Sequence, residues 1–555
     1  MRRITPILTA LATMVTLTAC TPSAPAATAT ADTEYLVFYA DGRRSDALAA
    51  VREAGGTPTG TESGTEAGTG TGTETGTEAK LGYVLARGHD DRFPETVGAD
   101  PAVVGVSADR AIGRTTAVPA TAFPDASAFS EKGTGEPLAG RQWDMRMIGA
   151  DRANQKAPGS EKVLVGVIDT GIDGTHPDIA PNFNRELSRN FVTDRPKDDN
   201  GENLDGPCEA DGCKDPVDRD DDGHGTHVAS TIASPLNGVG IAGVAPGVQL
   251  VNIRAGQDSG FFFLKASLDA LTYAGDIGVD VVNMSYYVDP WLFNCTANPS
   301  DSKTEQLEQR AIITGMQRAL DYARSKGVTL ISALGNGATD LGRPKTDDDS
   351  PGYPRGEEKV RRVDNTCLNV PAESNGVISV ASVGPSGRKA VYSDYGVEQA
   401  DLAAPGGDSL DGKGASANRT ILAAAPEKAL RANGRIGADG KPKGADVVRD
   451  CTGGTCAYYQ YLEGTSMAAP HAAGVAAILI SRFGRPGPGG VALAPATVEK
   501  YLYETATPTA CPSPRGFVYD VYGEKTTHLC EGGPDKNGFF GHGLVDALEA
   551  ATFEP

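Results

Sequence analysis

The strongest constraint on the fold is a rhythm that begins near Gln142, where apolar runs of strand length alternate with helix-length stretches. The runs are Val163–Ile168, Leu250–Ile253, Val279–Met284, Val328–Ala333 and Val377–Val383. Such α/β alternation implies a parallel sheet covered by helices. Loops at the carboxyl ends of distant strands then meet in one cleft, where the chemistry is expected.

The residues before this rhythm read differently. Arg2 and Arg3 lead an apolar stretch, Ile4 to Leu17, that is too short and Thr-rich for a stable membrane span, so residues 1–20 read as an export signal. It ends Leu17-Thr18-Ala19-Cys20, similar to a bacterial lipobox, in which the cysteine is lipidated; an ordinary signal peptide ending near a cysteine is the alternative. Residues 21–32 suit a flexible tether. Residues 33–110 read as a small α+β unit, with strands at Tyr35–Ala40, Leu81–Ala86 and Val103–Ala108 and helices at Ser45–Ala54 and Arg92–Gly98. Its insert, residues 55–79, is a Gly/Thr tract without apolar side chains to bury, and no structure is expected there. A linker over 111–140 precedes the main domain, 141–555.

Composition narrows the class. A net charge of -21 over 555 residues argues against a nucleic-acid binder, which needs a basic face. Nine cysteines minus Cys20 leave eight, an even number that suits disulfides outside the cytoplasm. Close spacing suggests Cys208–Cys213 and Cys451–Cys456, Cys511–Cys530 would close the segment ahead of the C-terminal helix, and Cys295–Cys367 is then what remains. Zinc is disfavoured because no Cys-x-x-Cys pair is present.

Peptide hydrolysis by a serine needs a base, a carboxylate that orients it, and donors for the oxyanion. Asp169 follows the run VLVGVI; alone, it reads equally as a loop aspartate or helix cap. His224 stands in DGHGTHVAS ahead of a small-residue helix, with His227 three positions on as support rather than a metal ligand. Ser466 stands in GTSMAAPHAAG at the start of an apolar helix, where free N–H groups and the dipole favour negative charge; His471 reads as a packing residue. Asn336, in LGNG just past a strand, has an amide that can meet an oxyanion, although Asn-Gly alone is usually a turn.

Taken together, VIDTGID, HGTHVAS, LGNG and GTSMAAPHAAG, in the order Asp, His, Asn, Ser, resemble the subtilisin-like (S8) serine peptidases over roughly residues 141–550. The resemblance implies an α/β fold with a parallel sheet sandwiched by helices, preceded by a small α+β propeptide. It implies that Asp169 orients His224, that His224 is the general base, and that Ser466 is the nucleophile of an acyl-enzyme mechanism. Asn336 would complete the oxyanion hole with the Ser466 N–H. Residues 33–110 would be an intramolecular inhibitor and folding aid. Polypeptides would be the substrates, the enzyme a secreted or lipid-anchored monomer. A structural calcium ion is implied, with side-chain oxygens of Asp178 and Asn237 and the carbonyls of Val239 and Ile241 as ligands. The acidic run Asp218, Asp220, Asp221 and Asp222 reads as a solvated charge run.

The sequence departs from the family at the implied substrate strand. Ser285-Tyr286-Tyr287 stands where Ser-Leu-Gly is usual, so Tyr287 is expected to crowd the specificity pocket. Ser259, Gly260 and Phe262 on the facing strand, with Phe261 and Phe263, suggest apolar substrate walls, and Gly335 lines the opposite side. Insertions near 289–310 and 408–450 border the cleft. Three rivals to a general endopeptidase remain: a processing peptidase or transpeptidase on the same fold, an esterase, whose motif order is the reverse, and a binding protein with a relic site.

Overall fold

The computed structural model describes residues 33–59, 76–109, 118–119 and 135–555, apart from 198–200, 202, 354–355, 455, 488 and 522. The expected signal, the tether with Cys20, the middle of the Gly/Thr insert and most of the 111–140 linker lie outside the described residues.

The amino-terminal unit runs β1 (Thr33–Tyr39), α1 (Arg44–Glu53), β2 (Thr57–Pro58), α2 (Thr77–Leu81), β3 (Tyr83–Gly88), α3 (Phe93–Val97) and β4 (Val103–Ala108). Its antiparallel sheet has the order β2-β3-β1-β4 and a separate apolar core. The insert is structured at both ends, contrary to expectation. Thr57–Pro58 pairs with Arg87 and Ala86, and Thr77–Lys80 opens α2. Backbone pairing can recruit residues whose side chains bury nothing. The linker contributes β5 (Val118–Pro119), two paired residues.

The main domain opens with α4 (Trp143–Met147) and α5 (Ala150–Ala153). Its strands are β6 (Leu164–Ile168), β7 (Arg189–Asn190), β8 (Gln249–Arg254), β9 (Val281–Met284), β10 (Thr329–Ala333), the short pair β11 (Thr346–Asp347) and β12 (Arg361–Arg362), β13 (Val377–Val383) and β14 (Leu402–Pro405). Seven of them form one parallel sheet, ordered β14-β13-β10-β9-β6-β8-β7. All five expected runs are in it. The edge strands were harder to read: β7 is two polar residues, and β14 is apolar but only four residues long.

Helices cover both faces. Side chains of a strand alternate between faces, so β6 sends Val165 and Val167 one way and Leu164 and Ile168 the other. The first face packs under α6 (His224–Ala233) and α10 (Thr465–Phe483), the second under α7 (Leu264–Ile277) and α8 (Lys303–Ser325). A smaller antiparallel sheet, β15 (Ile421–Ala424), β16 (Val447–Asp450) and β17 (Ala457–Glu463), lies against α6, and α9 (Glu427–Ala432) follows β15.

Both presumed insertions are more than decoration. Residues 303–310 are the first turns of α8, opened by a capping box in which Ser302 and Glu305 exchange side-chain and backbone bonds. Residues 408–450 include all of β15 and β16. The amino-terminal unit rides on α8. A Cβ on Gly105 would stand 2.5 Å from the Ala311 backbone nitrogen, so only glycine lets β4 approach that closely. Arg318 donates to the carbonyls of Tyr39, Leu81 and Gly82, each at 3.0 Å. The four disulfides pair as expected.

Candidate active site

Asp169 follows β6 directly and is fully buried. Its Oδ1 accepts from the Thr170 N–H (2.8 Å) and faces His224 Nδ1 at 2.7 Å. His224 is the first residue of α6, and its backbone N–H donates to Asp222 Oδ1 (3.0 Å). Burial alone disfavours an imidazolium, but Asp169, by charge and hydrogen bond, and then Asp222 and Asp220 more than offset it. The His224 pKa is therefore raised above its ordinary 6.5. His227 is different: burial drives its pKa down to about 3. Its Nε2 lies 3.1 Å from the carbonyls of Ile421 and Gln460, tying α6 to β15 and β17. It supports the site, as expected.

The acidic run is not solvated. Asp220 is buried and accepts from Thr170 Oγ1, Gly223 N, Thr226 N and Thr226 Oγ1 at 2.6–3.0 Å. Asp218 pairs with Arg185 and Asp221 with Arg219. The run therefore braces the turn into α6. Period and composition hid this, because four carboxylates and an arginine in five residues look like surface.

Ser466 is the second residue of α10 and is buried. Its Oγ donates to the Ser285 carbonyl at 3.3 Å, and His224 Nε2 has no hydrogen-bond partner. The Asp169–His224 contact is thus made, while the Ser466 hydroxyl is turned onto Ser285. Ser285 was expected among the substrate residues, and it also holds Ser466. Pro470, which has no N–H, stands where the donor to the Ser466 carbonyl would normally be. Ser285 Oγ supplies that bond at 3.0 Å and is itself held by Asn283 Nδ2. His471 packs in the core against Met467 O and Asp144.

Asn336 is oriented by a residue that sequence reasoning passed over. Its Oδ1 accepts from both the N–H and the hydroxyl of Thr465, each at 2.9 Å, and Thr465 Oγ1 accepts from Gly335 N (3.1 Å). Gly335 thus helps anchor the turn that carries Asn336. A Cβ on Gly464 would stand 3.6 Å from both Asn336 Nδ2 and Ser466 N, so the two donors face one small volume. This volume lies at the positive end of α10. Thr465 is inside the GTSMAAP motif, so a signal was present without its partner.

The substrate residues need correction. Phe262 is wholly buried and stacks face to face on Tyr286, with centroids 4.1 Å apart and planes within 2°. Phe261 packs edge-on against Tyr353. These rings belong to the core over α7 and α8 and are not open walls. Tyr286, not Tyr287, is the aromatic partner of Phe262; Tyr287 is half-buried just past the end of β9. Ser259 caps the adjoining turn by bonding Asp205 through its N–H and hydroxyl, and Gly260 turns it with φ +80°.

Among the expected calcium ligands, the side chains of Asp178 and Asn237 each accept a backbone hydrogen bond. Asn237 Oδ1 accepts from Val239 N, and Ile241 turns its N–H toward Asp178 Oδ2 (3.0 Å), which also accepts from the Tyr459 hydroxyl (2.7 Å). Burial pushes the Asp178 carboxyl up to about 7 against those bonds. Two buried carboxylate oxygens there lack partners, Asp178 Oδ1 and Glu136 Oε2, and Glu136 was not foreseen. Among the described residues no helix is long and apolar enough to cross a membrane.

This geometry agrees with the comparisons. Residues 160–543 match the Subtilase family (Peptidase S8), so the chain belongs to that family. It is 28% identical over 344 residues to a thermophilic serine proteinase from Bacillus sp. (strain AK1), covering 62% of this chain and 58% of that one. It is 26% identical over 346 residues to thermitase from Thermoactinomyces vulgaris, covering 62% and 84%. The chain thus spans just over half of the first of these relatives and most of the second. An epidermin leader peptide processing serine protease from Staphylococcus aureus shares the fold, with TM-score 0.58, 20% identity, and coverage of 94% of this chain and 98% of that one. Fervidolysin from Fervidobacterium pennivorans also shares it, with TM-score 0.55, 23% identity, and coverage of 94% and 61%.

Proposed function

We propose that the chain is an exported serine endopeptidase made as an inhibited precursor. The observation that carries this reading is the 2.7 Å Asp169–His224 bond, set beside Ser466 at the start of α10 and an Asn336 amide locked by Thr465. His224 Nε2 takes the Ser466 proton as Oγ attacks the peptide carbonyl. Asp169 holds Nδ1–H and offsets the imidazolium charge. Asn336 Nδ2 and Ser466 N receive the oxyanion. His224 then protonates the leaving amine, and water releases the acyl group by the reverse route.

The amino-terminal unit is the propeptide. Arg318, Gly105 and the Lys80–Asp276 ion pair seat it on α7 and α8. β5 pairs antiparallel with β17, Val118 opposite Glu463 and Pro119 opposite Leu462. Val118 is paired with Glu463, the last residue of β17 and three positions before Ser466, which favours a maturation cut on the amino-terminal side of Val118. Export follows from the signal-like start, with a lipid anchor at Cys20 as its surface-bound form. Calcium is kept as a structural ion for the Asp178 and Glu136 oxygens, and the enzyme works as a monomer.

Narrow processing is the second reading, favoured by Tyr287 standing where the family usually has glycine and by the fold shared with a leader-processing protease. Casein hydrolysis tests the main reading. The wild type should hydrolyse it, phenylmethylsulfonyl fluoride should stop it, and Ser466→Ala should be inert. A chain that ignores casein but cuts one site in a peptide library supports the second reading, and no hydrolysis of either refutes both.

A further inference from the structure

The turn that carries Asn336 has an unfavourable backbone, and a separate segment pays for it. Gly335 has φ +129° and Ala338 has φ +56°, the latter a left-handed conformation that non-glycine residues adopt only when their surroundings impose it. The segment Tyr392–Tyr395 imposes it. Asp394 N donates to Gly335 O (2.9 Å), Ala338 N to Tyr392 O (2.7 Å), and Tyr395 N to Thr339 O (3.0 Å). The Asp394 side chain closes the turn from inside. Its Oδ1 accepts from Thr339 N at 2.7 Å, and the Gly337 backbone also bonds its carboxylate. Its Oδ2 lies 2.2 Å from where a Cβ on Gly335 would stand.

We propose that Asp394 is a positioning residue for the reaction: by holding both ends of the Gly335–Thr339 turn it fixes where Asn336 presents its amide to the oxyanion. Thr465 holds the Asn336 side chain, and Asp394 holds the backbone beneath it. Asp394 is itself fixed from behind, because buried Lys389 donates to the Ala390 carbonyl (2.8 Å) and the Ser393 carbonyl, bracing the bend that leads into it. Burial raises the Asp394 carboxyl to about 7, with the Thr339 N–H, Lys389 and the Gly337 N–H opposing. The group therefore sits where only these bonds make a carboxylate acceptable.

The inference rests on the peptidase reading, and a double-mutant cycle separates the two, since the cycle can be run only on a wild type that hydrolyses peptides. Asp394→Ala should lower kcat about 10–100-fold, bounded by the roughly 10²–10³ known for loss of one oxyanion donor in a subtilisin, with KM within about twofold. Asn336→Ala with Asp394→Ala together should be no slower than Asn336→Ala alone, within about threefold, because Asp394 acts only through Asn336. Multiplying losses, or an Asp394→Ala kcat within about threefold of wild type, would overturn the proposal. If the alanine chain does not fold, Asp394→Asn decides. It keeps the Oδ1 acceptor and should retain kcat within about threefold, whereas a folded Asn variant that has lost thirtyfold or more overturns the proposal.

Discussion

Thr465 offers the sharpest quantitative test of how this site is built. Valine replaces its hydroxyl by a methyl group of similar size, so packing is kept while two buried bonds vanish: Oγ1 to Asn336 Oδ1 at 2.9 Å, and Gly335 N to Oγ1 at 3.1 Å. Each such bond is worth about 1 kcal/mol, and the buried N–H left behind adds about 1 kcal/mol more, so Thr465→Val should lose roughly 2–3 kcal/mol of stability. The catalytic loss is smaller. Asn336 Oδ1 retains the Thr465 N–H at 2.9 Å, so one anchor of two survives. One anchor is worth about 1 kcal/mol, or roughly fivefold in rate, well under the ceiling of 10²–10³ for losing the donor altogether. The assay is kcat per titrated active site on a chromogenic peptide, beside a melting curve. Thr465→Ser keeps both bonds and should match wild type in kcat. A valine variant with a lowered melting temperature and unchanged kcat would show that Asn336 needs no side-chain anchor, and that reasoning would fall.

Three further outcomes follow from the same contacts. The base must be neutral and its pKa is raised, so activity should fall on the acid side through a value above the ordinary 6.5; Asp222→Asn keeps the bond to His224 N but removes a raising charge, so the acid limb should move to lower pH, and an unmoved limb would acquit Asp222. Amino-terminal sequencing of the mature enzyme should find a start between residues 110 and 118, and a start at 135 or beyond would contradict the β5–β17 register. Calcium should stabilise wild type by about 2.7 kcal/mol at a hundred times Kd, seen as a higher melting temperature, and should do little for Asp178→Ala; coincident wild-type curves with and without chelator would remove the ion from the account.

What was legible in the sequence follows from how locally each feature is encoded. The central strands are fully buried, so they had to be apolar throughout and could be read directly. The proposed triad lies in short motifs, so its candidates could be named one by one. What stayed hidden depends on partners far along the chain. Ser285 closes the bond that Pro470 cannot make, 181 residues before the serine it steadies. Thr465 meets Asn336 across 129 residues, and Asp394 meets Thr339 across 55. Asp220 looked like surface charge because nothing nearby shows that Thr170 and Thr226 will enclose it. The aromatic run 261–263 suggested a substrate wall. Composition cannot say which side of a sheet a ring will face, and Tyr286 took Phe262 into the core.

The central claim is that Ser466 is a nucleophile activated by His224. Phenylmethylsulfonyl fluoride reacts with a serine only where the hydroxyl is so activated, and intact-mass and peptide-mass measurements locate the adduct. The wild type should gain one sulfonyl group, on the peptide containing Ser466, with loss of all peptidase activity. His224→Ala should take up none under the same conditions. A label on another residue, or equal labelling of Ser466 without His224, would contradict the account.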